Sequence, residues 1–591
     1  MARLRLLIVS ARNIRSFLCG DGLDDRRSSN PSPHKKLLQS AEGAKEDTMN
    51  PQNLSSQLHT ITPGFAKRGE IVALDDVAVV LSSRDNVAIA RVPLNRGVVL
   101  QLPDRYRGGA RQIEVSQRVQ SGHKVALHDI AQGQPVLRYG SIIGFATQDI
   151  TAGSHVHVHN LAVGDLERQY EYSVDYQPLE ILPVEQRRTF MGYRRPDGKV
   201  GTRNYIAIIS SVNCSASTVR FIERHFSPEV LRDYPNIDGV IGMTHKNGCA
   251  MRQGGEAIAQ LQRVLAGMAL HPNVGAYLLV GLGCESNQIQ EMIENTGLTG
   301  DSQTSWKKPL FITIQEGHGI ASTVEEAVRT ISELLPVVND VQREPVPISG
   351  LMVALQCGGS DGWSGVTANP ALGYCVDELV RQGGSAILSE TPEIYGAEHA
   401  LLRRARSREV GEQFVDRLHW WEHYAAINDM VLDNNPSPGN KLGGLTTIYE
   451  KSLGAVAKGG STPLNAVYKY AEPVAERGLV IMDTPGYDPV SVTGQVAGGA
   501  NVVVFTTGRG SAFGFKPAPS IKVASNSTLY KNMPADMDIN AGEVLDGVST
   551  QGVGMRILDE VIAVASGKQS KSEAQGVGEE EFAPWILGAV L

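Results

Sequence analysis

The sequence predicts an α/β fold: a small all-β domain near the N-terminal side, followed by two α/β domains with mainly parallel sheets. Three observations carry this. Between Glu70 and about Leu161 the apolar runs are short, β-rich and separated by turn residues. Beyond Thr189 the rhythm changes to strand, turn, helix. Glycine, 62 of 591 residues, gathers in short clusters at the ends of those later strands.

In chain order, residues 1–65 come first. Arg3, Arg5, Arg12 and Arg15 precede any acid, as in a mitochondrial presequence. The alternative is a tail outside the fold, with Met49 as a second start. The β domain is expected over 66–161, from the runs Ile71–Val80, Asn86–Val92, Val98–Leu102, His123–Ile130, Pro135–Thr147 and His155–Leu161. Residues 162–189 are polar and read as a linker. The first α/β domain, 190–344, alternates strands at Tyr205–Ser210, Gly239–Thr244, Ala276–Val280 and Leu310–Ile314 with amphipathic stretches. Ile258, Leu261, Val264, Leu265 and Met268 mark one such helix face. Pro345 and Pro347 mark a break, and the second α/β domain fills 345–591. Its strands are expected at Leu351–Leu355, Ala386–Leu388, Leu479–Met482 and Val502–Phe505, with a long helix over Glu398–Ala426.

Composition narrows the function. With 55 Lys+Arg against 63 Asp+Glu the net charge is −8, which argues against a nucleic-acid partner. No apolar run approaches the ~20 residues needed to span a bilayer. A soluble cytoplasmic chain without a membrane partner is expected, or a matrix protein if the presequence is real. Six cysteines in this length fit reduced thiols better than a disulfide framework.

The reactive side chains sit in the turns that end the α/β strands: His245-Lys246-Asn247-Gly248-Cys249, Gly281-Leu282-Gly283-Cys284-Glu285, Gln356-Cys357-Gly358-Gly359-Ser360-Asp361, Ser389-Glu390 and Thr506-Thr507-Gly508-Arg509. Ligands of open parallel sheets bind outside the carboxyl ends of strands, so these turns describe a site on one sheet edge. Any one of Cys214, Cys249, Cys284 and Cys357 alone reads as a packed thiol. Together, with His245 beside Cys249, they read as metal ligands, and Cys375 as a core thiol. No C-x-x-C pair marks structural zinc, and a divalent ion such as Fe²⁺ suits the mixed donors. In the β domain, period 2 sets His155, His157 and His159 on one strand face, within reach of His123-Lys124. Arg509 offers a planar fork for a carboxylate, and Asn435–Lys441 reads as a binding loop.

These residues resemble the altronate/galactarate dehydratase family of sugar-acid lyases. The matching stretches are GHKVALHDI (122–130), YGSIIGFA (139–146), VHVHN (156–160), GYRRPDGKVGTRN (192–204), GLGCE (281–285), QCGGSDGWSGVTANPALG (356–373), NPSPGNKLGG (435–444), KSLG (451–454), FTTGRG (505–510) and MDINAG (537–542). They are colinear over roughly 75–591. The β segment is similar to the family's SAF domain. The triple-His strand and the stretch SETPEIYGAE (389–398) look more like the altronate branch. Lys246-Asn247 departs from the family's usual aromatic before the glycine, which bears on substrate choice.

The resemblance implies an enzyme, a hydro-lyase that removes water from D-altronate to give 2-keto-3-deoxy-D-gluconate. Galactarate or another sugar acid is the alternative, and a non-catalytic sugar-acid- or metal-binding protein the second. His123, His157, His245, Glu285 and Arg509 are the expected catalytic groups. His245, Cys249, Cys284 and Cys357 would hold a divalent metal, Fe²⁺ first and Mn²⁺ second. Lys124, His159, Ser360, Asp361, Glu390, Asn440, Lys441 and Thr507 would contact the substrate. The site would lie between the SAF-like domain and the α/β body, and the expected assembly is a homodimer.

Overall fold

A computed structural model describes residues 68–104, 111–165, 169–298 and 307–588. The tail or presequence expected over 1–65 lies outside them. The chain has a small strand-rich N-terminal region followed by parallel-sheet α/β domains. No helix among the described residues is long and apolar enough to cross a membrane.

The largest element is a seven-stranded parallel sheet, ordered Leu464–Tyr468, Gly478–Met482, Ser385–Leu388, Met352–Cys357, Val502–Thr507, Ser520–Ala524 and Ile539–Asn540. Its central strands are continuous apolar runs because both faces are covered. Val353, Leu355, Val502 and Val504 point into a core shared with the helices Ala368–Arg381 and Thr550–Ala565. Ala354, Val503 and Phe505 alternate to the opposite face, under the helix Asp488–Ala497. That second core continues into the four-stranded parallel sheet Gly239–Met243, Tyr205–Ser210, Val274–Gly281, Phe311–Thr313 through the helix Glu256–Ala269. The two sheets are thus joined by packed helices.

Three expectations change at this level. Val341–Ser349, read as a break, contains the strand Glu344–Pro347, which pairs antiparallel with Thr189–Arg194. The helix expected over Glu398–Ala426 is two, His399–Leu402 and Arg408–Ile427. The chain between them bends because Arg406 donates its backbone N–H to Leu464, and the Ser407 side chain then caps the second helix. Ile71–Val80 is a strand, a helical turn and a second strand.

Candidate active site

Met352–Cys357 lies between Ser385–Leu388 on one side and Val502–Thr507 on the other. The chain winds outward from it in both directions, so the carboxyl ends of Met352–Cys357 and Val502–Thr507 form a topological switch point. The turns beyond them are stitched together, since Gly359 O accepts from Gly508 N (3.1 Å) and Arg509 N (2.8 Å). Asp361 locks the first turn. Its Oδ1 accepts from Trp363 N (3.1 Å), Ser364 N (2.9 Å), Ser364 Oγ (2.9 Å) and Ser525 Oγ (2.8 Å), and its Oδ2 from Asn526 Nδ2 (3.0 Å). Burial still pushes its carboxyl above the ordinary range.

Gly508 is what lets Asp361 come this close. A Cβ there would sit 2.1 Å from Asp361 Cγ. Gly508→Ala is therefore expected to displace Asp361 and lower kcat at least about tenfold, with an overpacking cost of ~1–3 kcal/mol. Steady-state kinetics and denaturant unfolding read the two effects, and wild-type values for both would overturn the assignment.

The β domain roofs this edge. Its Gly122 carbonyl approaches so closely that a Cβ on Gly362 would lie 2.1 Å from it and one on Gly444 2.3 Å. Beneath, Lys124 Nζ donates to Glu450 Oε1 (2.8 Å) and Oε2 (2.9 Å) and to Gly444 O (2.7 Å). Arg138 pairs with Glu450 and donates to Gly362 O (2.7 Å). All three ionic side chains are buried. Lys124, expected to contact substrate, is instead the sealed cation of a structural ion pair.

The four imidazoles come together by a different route from the one expected. The strand is only His155–Val156, and His157–Asn160 is a turn closed by Asn160 N to His157 O (3.0 Å). The rings still cluster: His123 lies 5.1 Å from His155, tilted, and 5.0 Å from His157, stacked, and His155 lies 5.5 Å from His159, tilted. Two carbonyls fix the tautomers. His123 Nε2–H donates to Leu442 O (3.2 Å) and His157 Nε2–H to Lys441 O (2.9 Å). His123 Nδ1 must therefore accept from His155 Nε2–H (3.0 Å). Burial, then Lys124, lowers His123 to about 4, and burial, then His123, lowers His155 to about 3. His123 and His155 are therefore neutral at pH 7.

A cavity of about 580 Å³ lies between this roof and the switch point. His123, Asp361, Arg509, Arg91, Asn526 and Thr528 are among its walls. Three expected residues, His123, Asp361 and Arg509, thus meet in one place. Asn440 Nδ2 donates to Ser360 O (2.8 Å), while Thr507 Oγ1 accepts from Gly510 N (3.0 Å), so these shape the walls from behind. Lys441 offers its carbonyl to His157, and His159 is exposed beside His155. Arg91 and Asn526 escaped the sequence reading. Asn526 follows the strand Ser520–Ala524, so the strand-end rule would have found it had that strand been recognised.

His245 and Glu285 belong to the other sheet. His245 Nε2–H donates to Ser210 O (2.8 Å), and its Nδ1 accepts from Asn247 N (3.1 Å). Glu285 accepts from Ser211 Oγ (2.7 Å), Leu282 N (3.2 Å) and Gly283 N (2.6 Å). Both are buried and committed to their own turns. The reactive turns thus occupy two sheet edges rather than one.

The metal grouping is corrected in the same way. Cys357 keeps company with Glu390 and Glu393, whose donor atoms lie within 4.8 Å of one another and could hold a metal ion. His245, Cys249 and Cys284 are not part of that group. Lys458 Nζ, however, lies 2.8 Å from both Cys357 Sγ and Glu390 Oε2, and Lys451 Nζ 2.8 Å from Glu393 Oε1. Two buried ammoniums already balance two buried carboxylates, so a divalent cation fits only by displacing them. Glu390, expected to touch substrate, is sealed within this cluster.

Comparison with known proteins gives three family matches: "Altronate/galactarate dehydratase SAF domain" over 76–164, "D-galactarate dehydratase/Altronate hydrolase, second domain" over 192–339, and "D-galactarate/Altronate dehydratase, C-terminal" over 348–590. An altronate dehydratase of Bacillus subtilis (strain 168) is 36% identical over 490 residues, 83% of this chain and 95% of that protein. One from Escherichia coli (strain K12) is 35% identical over 491 residues, 83% and 95% of the two chains. The galactarate dehydratase (L-threo-forming) of Escherichia coli (strain K12) is 37% identical over 489 residues, 82% and 92%.

Proposed function

This chain belongs to the D-galactarate/altronate dehydratase family and is a sugar-acid hydro-lyase, and from that premise we propose that it dehydrates D-altronate to 2-keto-3-deoxy-D-gluconate. The observation that carries the assignment of the site is the single cavity that joins His123 of the roof to Asp361 and Arg509 of the switch point. The reaction is placed in the cytoplasm, and the assembly is taken as a homodimer.

The chain's own groups meet the demands of the elimination. The C2 proton of a carboxylate is very weakly acidic, so negative charge building on the carboxylate needs a fixed cation. Arg509 lines the cavity, and a guanidinium can grip both carboxylate oxygens. Asp361 is a positioning residue, tying its own loop to Ser525 and Asn526. His123, neutral because it is buried, accepts the C2 proton at Nδ1 once substrate displaces the His155 N–H that occupies that atom, and a bound carboxylate nearby raises its affinity for that proton. The imidazolium then returns a proton to the departing C3 hydroxyl, which leaves as water. The enol gains a proton at C3 and becomes the 2-keto acid. A divalent cation, Fe²⁺ or Mn²⁺, would act as a Lewis acid on such a substrate. Because Lys458 and Lys451 already pair with the donors of Cys357, Glu390 and Glu393, no step is routed through them.

One observation favours a second reading. Arg91 lines the same cavity as Arg509, and two guanidiniums suit a substrate with a carboxylate at each end, such as galactarate. A panel of D-altronate, galactarate and other sugar acids, scored by 2-keto acid formation, separates the two. Arg509→Lys is expected to raise KM and lower kcat/KM about 10²-fold on the preferred acid, since a lysine cannot form the two-pronged contact. If no acid in the panel is dehydrated, the reading fails. If Arg509→Lys leaves kcat/KM intact, the cavity is not where substrate binds.

A further inference from the structure

The four-stranded sheet has a switch point of its own. Tyr205–Ser210 lies between Gly239–Met243 and Val274–Gly281, and the chain departs from it in both directions. Three turns at this edge each carry a cysteine: Cys214 in the 3-10 turn Asn213–Ser215, Cys249 beyond Gly239–Met243, and Cys284 beyond Val274–Gly281. Backbone hydrogen bonds stitch the turns into one surface. Asn213 N donates to Asn247 O (2.9 Å), and Asn287 N donates to Gly248 O (2.9 Å). The Asn287 side chain donates to Ser211 O (3.0 Å).

Three further features single out these thiols. All three are exposed, whereas Cys357 and Cys375 are buried. Free cysteine is ordinarily among the most buried residue types, so three exposed thiols on one stitched edge call for a use. Left-handed backbone then adjoins two of them: Gly248 (φ 103°) and Ala250 (φ 56°) flank Cys249, and Gly283 (φ 125°) precedes Cys284. Ala250 holds a conformation that costs a side-chain-bearing residue energy. Such turns gather backbone N–H groups into concavities that receive anions, including the sulfides of iron–sulfur sites. Finally, Gln315 Nε2 donates to Cys284 Sγ (3.4 Å), the kind of hydrogen bond that supports a ligating thiolate.

We propose that Cys214, Cys249 and Cys284 ligate an iron–sulfur cluster of the four-iron, four-sulfide type at this edge. His245 is not one of the ligands, because both its ring nitrogens are engaged. A single tetrahedral zinc would draw its thiolates to within about 4 Å of one another. Cys214, Cys249 and Cys284 are not among the residues whose ligand atoms lie within 4.8 Å of one another, so this edge is not a preformed zinc site. Three thiolates leave one iron without a protein ligand, open to a hydroxyl or carboxylate oxygen.

The test uses the full-length chain and does not depend on turnover, so it stands or falls apart from the dehydratase reading. Protein reconstituted anaerobically with iron salt, sulfide and thiol is assayed for iron, acid-labile sulfide and visible absorption. Wild type is expected to hold iron and labile sulfide in equal amounts. Each of Cys214→Ala, Cys249→Ala and Cys284→Ala should lose at least half of both, and the triple variant nearly all. Cys375→Ala, at a buried position on Ala368–Arg381, should retain them. Because the three thiols are exposed, circular dichroism should show every variant folded, and Cys→Ser versions provide a second set. Iron without labile sulfide, zinc bound in its place, or a cluster retained by the triple variant would each overturn the proposal.

Discussion

Glu450→Gln is expected to destabilise the protein by roughly 3–5 kcal/mol, the typical cost of leaving buried charge without its partner. Glu450 is completely buried and is the shared anion for Lys124 and Arg138, also buried. Burial alone would raise its carboxyl, but the two cations outweigh that and hold it at about 2. A neutral amide cannot balance either cation, and both would remain sealed from water. Because these cations come from the roof and Glu450 from the α/β body, the loss should appear first as loosening of the roof. Denaturant unfolding measures the total, and proteolysis within 111–165 reads the local opening. Lys124→Met combined with Glu450→Gln should recover part of the loss, since Arg138 keeps its bond to Gly362 O. The sign with pH follows. With its folded value below the ordinary 4.5, Glu450 contributes stability that is complete above 4.5 and disappears as pH falls towards 2. A variant as stable as wild type would show that the ion pairs are incidental to the roof.

Glu450 also marks where the sequence stops being readable. A single glutamate ahead of Lys451 looks like an ordinary surface residue of a helix. Its partners lie 326 and 312 residues away, a separation that no local pattern reveals. Local features fared better. The parallel α/β class followed from continuous apolar runs, and the strand-end turns were found because chain direction alone places them on a carboxyl edge. What periodicity could not supply was how many sheets those edges belong to. Cys357 and Cys284 occupy equivalent positions in sequence, yet one ends a strand of the seven-stranded sheet and the other follows a strand of the four-stranded sheet. Ser520–Ala524 was missed because Lys522 interrupts its apolar run. That lysine is itself buried, its ammonium donating to Ser511 O (3.1 Å).

His123→Ala is expected to lower kcat by about 10²–10⁴-fold, the usual loss when a general acid–base is removed. Of the four clustered imidazoles it is His123 that lines the cavity. His155 holds its Nδ1, and the Leu442 carbonyl holds its Nε2–H. Alanine also breaks these two hydrogen bonds, at ~1–3 kcal/mol, so His123→Gln is the sharper variant. Its amide can still donate to Leu442 O but cannot exchange a proton at neutral pH, and kcat should stay low while stability recovers. His157→Ala, which frees only the Lys441 carbonyl, should cost less turnover than either. The pH profile supplies an independent check. With His123 lowered by burial to about 4, wild type should keep its base form, and its rate, down to that region. Its stability contribution is complete above the ordinary 6.5 and falls as pH drops towards 4, because the unfolded imidazole binds a proton first. Activity should therefore persist in mild acid while the roof weakens. Turnover of His123→Gln within about threefold of wild type would remove His123 from the chemistry and leave the cluster a structural prop for the 441–442 carbonyls.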